Sequence, residues 1–227
     1  MERVVVSLGG SILVPGDGDP EYVARLARLL SDLSRDRKLF AVTGGGKIAR
    51  FYIETGRALG AKERRLDELG IDITRMNARL LGIALHGKTN PEPARTYTEA
   101  TRLARRYDIV LMAGTAPGWT TDRVAASLAR TVTAQRLVNA TSVDGVYSSD
   151  PRTNPAARRF ETMTYSQLID LMGTRHARAG PTMVFDAIAA RVIARAKIPL
   201  LVVDGRDLEA LENAIVGKAF HGTIVTG

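Results

Sequence analysis

The chain has no cysteine, few aromatic residues and no long apolar run. Without cysteine among its 227 residues, it can form no disulfide framework and no thiolate nucleophile. No segment approaches the roughly 20 consecutive apolar residues that cross a bilayer, and the first residues lack the apolar core of a signal peptide. We therefore expect a cytoplasmic protein that makes no membrane contact.

Aromatic residues make up only 5% of the chain, although its net charge is +8. Proteins that bind nucleic acids usually combine a basic stripe with aromatic side chains that stack on bases. Here basic residues are mixed with carboxylates, as in segments 24–38 and 61–70, so we expect no nucleic-acid partner. Small anionic substrates account for the positive balance equally well.

Short apolar runs alternate with amphipathic segments along the chain. The runs are continuously apolar rather than alternating, which favours a mainly parallel sheet covered by helices on both faces. We expect an α/β fold in which residues 1–227 form one domain without a true linker. The predicted strands are 4–8, 39–43, 109–113, 137–141, 200–204 and 223–225, and helical periodicity covers 20–33, 64–85, 124–132 and 182–196.

Helical periodicity also predicts which side chains are buried. In the segment 182–196, the face expected to be buried carries Val184, Ile188 and Val192. In the segment 64–85, the corresponding face carries Leu66, Leu69, Ile73, Leu80 and Leu81.

Glycine-rich or hydroxyl-rich loops follow the first three predicted strands. They are the segments 9–11, 44–47 and 114–122. In open α/β sheets ligands bind beyond the carboxyl ends of the strands, and free backbone N–H groups near helix starts bind anions. One glycine loop is a weak indication because glycine also ends strands, but three successive loops predict a site for phosphate groups.

Two common phosphate-binding motifs fit this site poorly. The P-loop requires glycine at the position of Ala41 and a hydroxyl residue at the position of Ile48. The segment 44–49 formally matches the dinucleotide fingerprint, which also needs an acidic residue about twenty positions later at the end of a second strand. Asp67 lies near that spacing but within a helical pattern, so a dinucleotide oxidoreductase is the weaker alternative.

The order of these motifs resembles the amino acid kinase superfamily and, within it, the archaeal-type uridylate (UMP) kinases. The resemblance extends over nearly the whole chain, and its most specific parts are 114–122 and 141–151. The segments that carry it are 6–13, 42–54, 67–81, 113–129, 139–160 and 184–205.

This resemblance implies a three-layer α/β/α sandwich, a homohexamer, and transfer of the ATP γ-phosphate to UMP in pyrimidine nucleotide biosynthesis. It implies a UMP-binding lobe at about 1–135 and an ATP-binding lobe at about 136–227. The implied ATP contacts are Gly9, Gly10, Ser11, Gly46, Arg50, Thr141, Tyr147 and Asp150. The implied UMP contacts are Gly45, Asp67, Thr115, Ala116, Pro117, Gly118, Trp119, Thr120 and Thr121.

A phosphate acceptor sets the chemistry that the residues must perform. Such an acceptor is mostly dianionic at neutral pH and needs no general base, so the protein must bring two anions together by positioning and positive charge. We expect Lys47 and Arg50 to supply that charge, and Mg²⁺ to accompany ATP. The resemblance also implies that Asp186 lies near the reacting phosphates, where it orients cations or metal-bound water. The three histidines lack ligand spacing, so no separate protein metal site is expected.

Several of these residues also have ordinary structural interpretations. Asp186 could cap a helix, whereas Asp67 and Lys47 could be solvated surface residues. Tyr147 could belong to the core, and Trp119 could either stack on a ligand or shield the site from water.

Two other functions stay open at this point. One is isopentenyl phosphate kinase, but its relatives carry a histidine soon after the triple glycine, and none occurs between Gly44 and Leu85. The other is an inactive nucleotide-binding sensor. This idea is kept open by Ser7, which stands where many relatives carry a lysine.

Overall fold

The computed structural model describes residues 1–16, 18–151, 153–176 and 184–227. The strands in this part of the chain are β1 (Glu2–Leu8), β2 (Arg37–Thr43), β3 (Ile109–Met112), β4 (Arg136–Thr141), β5 (Val146–Tyr147), β6 (Arg159–Phe160), β7 (Thr162–Thr164), β8 (Leu200–Asp204) and β9 (Thr223–Thr226). The helices are α1 (Gly10–Leu13), α2 (Pro20–Leu33), α3 (Gly46–Ala58), α4 (Glu63–Ala84), α5 (Tyr97–Leu103), α6 (Thr121–Thr131), α7 (Tyr165–His176), α8 (Ala187–Ala196) and α9 (Leu208–Val216).

Seven strands form one sheet in the order β3-β2-β1-β4-β8-β9-β7. The pairs from β3 to β8 are parallel, and the β8–β9 pair is antiparallel. Strands β5 and β6 form a separate antiparallel pair. The α/β fold with a mainly parallel sheet is confirmed, and the six predicted strands differ from the observed ones only at their ends. The short strands β5, β6 and β7 were not predicted.

Two apolar clusters cover the two faces of the sheet. Successive residues of β1 alternate between them, with Val5 in one cluster and Val4 and Val6 in the other. Because both faces are covered, the strands need apolar residues at every position, which explains their continuous apolar runs. The first cluster includes residues of α5, α6, α7 and α8, and the second includes residues of α1, α2, α4 and α9. The three-layer arrangement is therefore confirmed.

The buried face of α8 differs from the prediction. Ile188 is 45% exposed, whereas Ala187, Ala189 and Ala190 are buried. These small residues let α8 pack closely on α6, which also buries alanines. The prediction chose Ile188 because hydropathy ranks isoleucine above alanine. Helix α8 begins only at Ala187, and positions 182 and 183 of the predicted helix lie outside the described residues.

The buried face of α4 is narrower than predicted. Leu66, Ile73 and Leu81 are buried as expected, but Leu69 is 38% exposed and Leu80 is 41% exposed. These two residues belong to a second apolar stripe on α4. They were predicted to be buried because an amphipathic pattern alone cannot show which of two neighbouring stripes contacts the core.

Candidate active site

The strand order creates a cleft at one edge of the sheet. The chain passes outward from β1 to β2 and β3 on one side, and from β4 to β8 on the other. Open α/β sheets bind ligands beyond the carboxyl ends of the strands at such a reversal of order. A cleft of about 720 Å³ opens there, lined by Ser7, Leu8, Gly9, Gly10, Ser11, Ile12, Gly44, Gly45, Gly46, Arg50, Thr121, Asp122, Asn139, Thr141, Ser142, Val143, Asp150, Thr153 and Val184.

The loops after β1 and β2 contact each other through their backbones. The Gly44 N–H donates a hydrogen bond to the Leu8 carbonyl at 2.8 Å. A Cβ atom on Gly10 would lie 2.3 Å from the Gly46 backbone nitrogen, which is closer than any side chain permits. Gly46 also has φ +64°, in the left-handed region that favours glycine. Glycine is therefore required for these loops to meet at the cleft.

Helix α4 fixes the loops that follow β2 and β3. The Asn77 side-chain amide donates to the Gly44 carbonyl at 2.7 Å. The Thr43 hydroxyl donates to the Thr74 carbonyl at 2.8 Å, and the Gly114 N–H donates to the Thr74 hydroxyl at 2.9 Å. Buried polar groups are thus satisfied in a way that sets the position of both loops.

The loop 115–121, which carries most of the predicted UMP contacts, lies against α4. The Gly118 N–H donates to Asp67 Oδ2 at 2.7 Å. The Thr120 hydroxyl accepts from the Arg123 N–H at 3.1 Å and caps α6. The structure thus brings Asp67 together with this loop.

The predicted cationic residues are placed differently from each other. Arg50 lines the cleft, and its Nη2 atom lies 3.5 Å from the Ser11 hydroxyl oxygen. Lys47 is exposed in the first turn of α3 and does not line the cleft, which agrees with its interpretation as a solvated residue.

Asp122 is a cleft residue that the sequence-based assignment missed. The pKa of Asp122 is raised to about 7, mainly by desolvation and also by the negative charge of Asp186, while a hydrogen bond from the Asp186 backbone N–H partly opposes the shift. The only indication in the sequence was its position at the end of the segment 114–122. An acidic residue in the first turn of a helix is common in any protein, so this position alone did not suggest a role.

Asp186 performs the capping role that was considered for it. Its Oδ1 atom accepts from the Ala189 N–H at 2.8 Å at the start of α8. The side chain is 9% exposed and does not line the cleft, but it adjoins Asp122 there.

Two polar residues inside the strands also line the cleft; Asn139 was missed, and Ser7 was noted only as the position of the relatives' lysine. Ser7 and Asn139 are 3% and 4% exposed, and they are register partners on β1 and β4. The Asn139 side-chain amide donates to the Val184 carbonyl at 2.8 Å. Polar residues within otherwise apolar parallel strands could have identified this edge from the sequence.

Tyr147 is not among the residues that line the cleft. Its hydroxyl donates to Asp144 Oδ1 at 2.8 Å, and His221 Nε2 lies 2.8 Å from Asp144 Oδ2. Among the predicted ATP contacts, Tyr147 therefore does not reach the cleft lining, whereas the others do. Among the predicted UMP contacts, Gly45 and Thr121 line it.

Comparisons with known proteins agree with this geometry. The model of the amino acid kinase family matches residues 2–204. The chain is 46% identical to the uridylate kinase of Methanoculleus marisnigri, over 99% of this chain and 96% of that protein. It is also 46% identical to the uridylate kinase of Methanospirillum hungatei, over 100% of this chain and 95% of that protein.

Solved structures give the same result. The crystal structure of uridylate kinase from Archaeoglobus fulgidus superposes with a TM-score of 0.89 at 38% identity, and both chains are covered completely. The UMP kinase structure from Ureaplasma parvum gives a TM-score of 0.80 at 25% identity, with 100% of this chain and 99% of that chain covered.

The contact between the glycine loops predicts that Gly10→Ala is destabilising. The added methyl group would overlap the backbone around Gly46, and overpacking of this kind costs about 1–3 kcal/mol. Gly18→Ala is the matched control, because a Cβ atom there meets nothing within 4 Å. Chemical denaturation measures both, and equal stability of the two variants would contradict a tight junction between the loops.

The raised pKa of Asp122 predicts a pH-dependent effect of Asp122→Asn. An acid whose pKa is raised on folding loses stabilisation as the pH rises from its ordinary value of 3.8 to about 7, because the folded state then carries a partly desolvated charge next to Asp186. Relative to the unaltered chain, Asp122→Asn should thus gain about 1–3 kcal/mol of unfolding free energy between pH 4 and pH 8.

Denaturant titrations of the ligand-free protein at both pH values measure this gain. Glu212→Gln is the control, because Glu212 is exposed on α9 and its removal should give no such change with pH. An effect of Asp122→Asn that does not change with pH would show that folding does not raise the pKa of Asp122.

Proposed function

Because this chain belongs to the amino acid kinase family, we propose that it is a uridylate kinase, which transfers the γ-phosphate of ATP to UMP. The observation that carries the proposal is the backbone junction of two glycine loops at the cleft. Relatives that match this chain over its full length and are named uridylate kinases support it further. In this proposal the reaction yields UDP and ADP for pyrimidine nucleotide synthesis. It also implies a cytoplasmic location, which cell fractionation tests.

The two nucleotides are assigned to different sides of the glycine junction. ATP would occupy the cleft between the loops after β1 and β4, in contact with Thr141 and Asp150, which line it. UMP would lie along the loop 115–121. One oxygen of Asp67 is held by the Gly118 N–H, and the other would accept hydrogen bonds from the ribose hydroxyls. A structure with both nucleotides bound tests this, since their phosphates should meet at the peptide between Gly45 and Gly46.

The chemistry follows from placing two phosphates end to end. The UMP phosphate is mostly dianionic at neutral pH, so it can attack without a general base. The chain must offset the repulsion between the anions and hold them in line. Backbone N–H groups of Gly10, Gly45 and Gly46 would hold the transferring oxygens, and the Arg50 guanidinium would add positive charge at the cleft wall.

The acidic residues beside the cleft fit a Mg²⁺ ion bound with ATP. Protein Mg²⁺ sites use oxygen ligands, often one or two carboxylates together with substrate phosphates. The described residues contain no group of three or more Asp, Glu, His or Cys side chains placed to hold a metal ion, but Asp122 lies beside Asp186 at the cleft. A cation would relieve the repulsion between these carboxylates. Asp122 would hold the ion, whose charge neutralises phosphate oxygens when it is bound.

A panel of acceptors tests the proposed function. In a coupled assay of ADP release, UMP should give the highest kcat/KM when compared with CMP, dUMP and isopentenyl phosphate. A higher value for isopentenyl phosphate would overturn the assignment in favour of that kinase. Tight binding of ATP and UTP without turnover of any acceptor would instead identify a nucleotide sensor.

The same assay separates the two predicted cationic residues. Arg50→Ala should lower kcat with UMP by about ten- to a thousandfold, the range for loss of one group that stabilises charge. Lys47→Ala is the matched variant and should have the smaller effect, because Lys47 is exposed outside the cleft. A larger loss in Lys47→Ala would reverse these roles.

A homohexamer is the proposed assembly, and an exposed apolar surface on α3 and α4 supports it. Isolated chains rarely expose large contiguous apolar patches. The surface consists of Phe51 and Tyr52 on α3, Leu59 directly after α3, and Leu69, Met76, Leu80 and Ile83 on α4; Phe51 is 63% and Ile83 72% exposed. Light scattering should give the mass of six chains, and Phe51→Glu should reduce it. A monomeric mass for the unaltered chain would contradict the proposal.

A further inference from the structure

Trp119 is held in a stack of three side chains beside the loop 115–121. It is the only tryptophan in the chain. The guanidinium carbon of Arg123, on α6, lies 3.7 Å from the centre of the tryptophan ring. The ring of Tyr97, on α5, lies 6.4 Å from it with an interplanar angle of 38°. The stack therefore joins the loop to two helices.

Arg123 contacts this loop at two successive residues. Its N–H donates to the Thr120 hydroxyl at 3.1 Å, and its guanidinium covers one face of Trp119. An arginine over an indole makes the strongest type of cation–π contact. The far side of the loop is held independently, by the Gly118 N–H on Asp67.

The stack also limits what Trp119 can do. The indole face covered by Arg123 cannot stack on a base, and the ring packs against the core cluster that covers the α6 side of the sheet. Burial raises the pKa of Tyr97, and its buried hydroxyl makes no hydrogen bond to the described residues. Tyr97 is therefore a neutral ring beside the indole, and Arg123 and Tyr97 both contact the indole ring.

We propose that Arg123 is a positioning residue for the acceptor substrate, which acts through Trp119 to hold the loop 115–121 in its binding conformation. The inference rests on the proposed binding of UMP to this loop. If a loop is already ordered before the ligand binds, binding does not have to pay the free-energy cost of ordering it. The loops assigned to ATP follow β1 and β4, so loss of the stack should weaken binding of UMP but not of ATP.

Fluorescence of the unaltered chain provides the first measurement. Because Trp119 is the sole tryptophan, all indole emission reports on this loop. Saturable change of the emission on titration with UMP, but not with ATP, is expected. If UMP is turned over and yet leaves the emission unchanged, the loop does not bind it and the inference is overturned, while the proposed function stands.

Substitution of Arg123 provides the second measurement. Arg123→Ala should raise the KM for UMP by about three- to thirtyfold, the change that corresponds to loss of a cation–π contact. It should leave the KM for ATP within twofold and make the emission easier to quench with acrylamide. Arg123→Lys keeps the positive charge without the planar group, so its KM for UMP should lie between those of the unaltered chain and of Arg123→Ala. Arg105→Ala is the control, since Arg105 is exposed before β3.

A double substitution separates positioning from direct contact with the substrate. If Arg123 acts through the indole, Arg123→Ala should have little further effect on the KM for UMP in a Trp119→Leu background. Additive effects would show that Arg123 works independently of Trp119. A KM for UMP within twofold of the unaltered value in Arg123→Ala, or an equal rise in both KM values, would likewise overturn the inference.

Discussion

The direct backbone contact between the loops after β1 and β2 is the constraint on which the site depends. Two loops can approach this closely only if neither carries a side chain at the junction, and Gly10 and Gly46 meet this condition. The contact brings the ends of two strands to the lining of one cleft. The polar groups of α4 then fix the loop after β3 relative to the same junction. The proposed transfer requires this shared frame, because its two substrates bind to different loops.

The fold could be predicted largely from the sequence because of the way the sheet is buried. A parallel sheet covered on both faces needs apolar residues at successive strand positions, and such runs are easy to recognise. The helix faces were harder to predict. Alanines form much of the contact between α6 and α8, and hydropathy does not distinguish a buried alanine from an exposed one. On α4, apolar residues outside the core form a second stripe, and the sequence cannot show which stripe faces the sheet.

The glycine loops of the site could also be predicted, since glycine and strand ends are local features. The pairs of distant side chains could not. Asp122 and Asp186 are far apart in the sequence, and only the packing of α6 on α8 brings them together. Ser7 and Asn139 meet because β1 and β4 are neighbours in the sheet. The assignments to ATP and UMP remain predictions, and Lys47 and Tyr147 lie outside the cleft lining.

The alanine contact between α6 and α8 has a consequence for how the chain tolerates sequence change. Both helices begin at the cleft edge, at Thr121 and Ala187, and the carboxylates of Asp122 and Asp186 are carried by these first turns. A bulkier residue deep in the contact would force the helices apart and would alter the spacing of the carboxylates at the rim. Substitutions remote from the proposed nucleotide sites would thus disturb the proposed binding of Mg²⁺, so this helix contact would be constrained by the proposed chemistry as well as by folding.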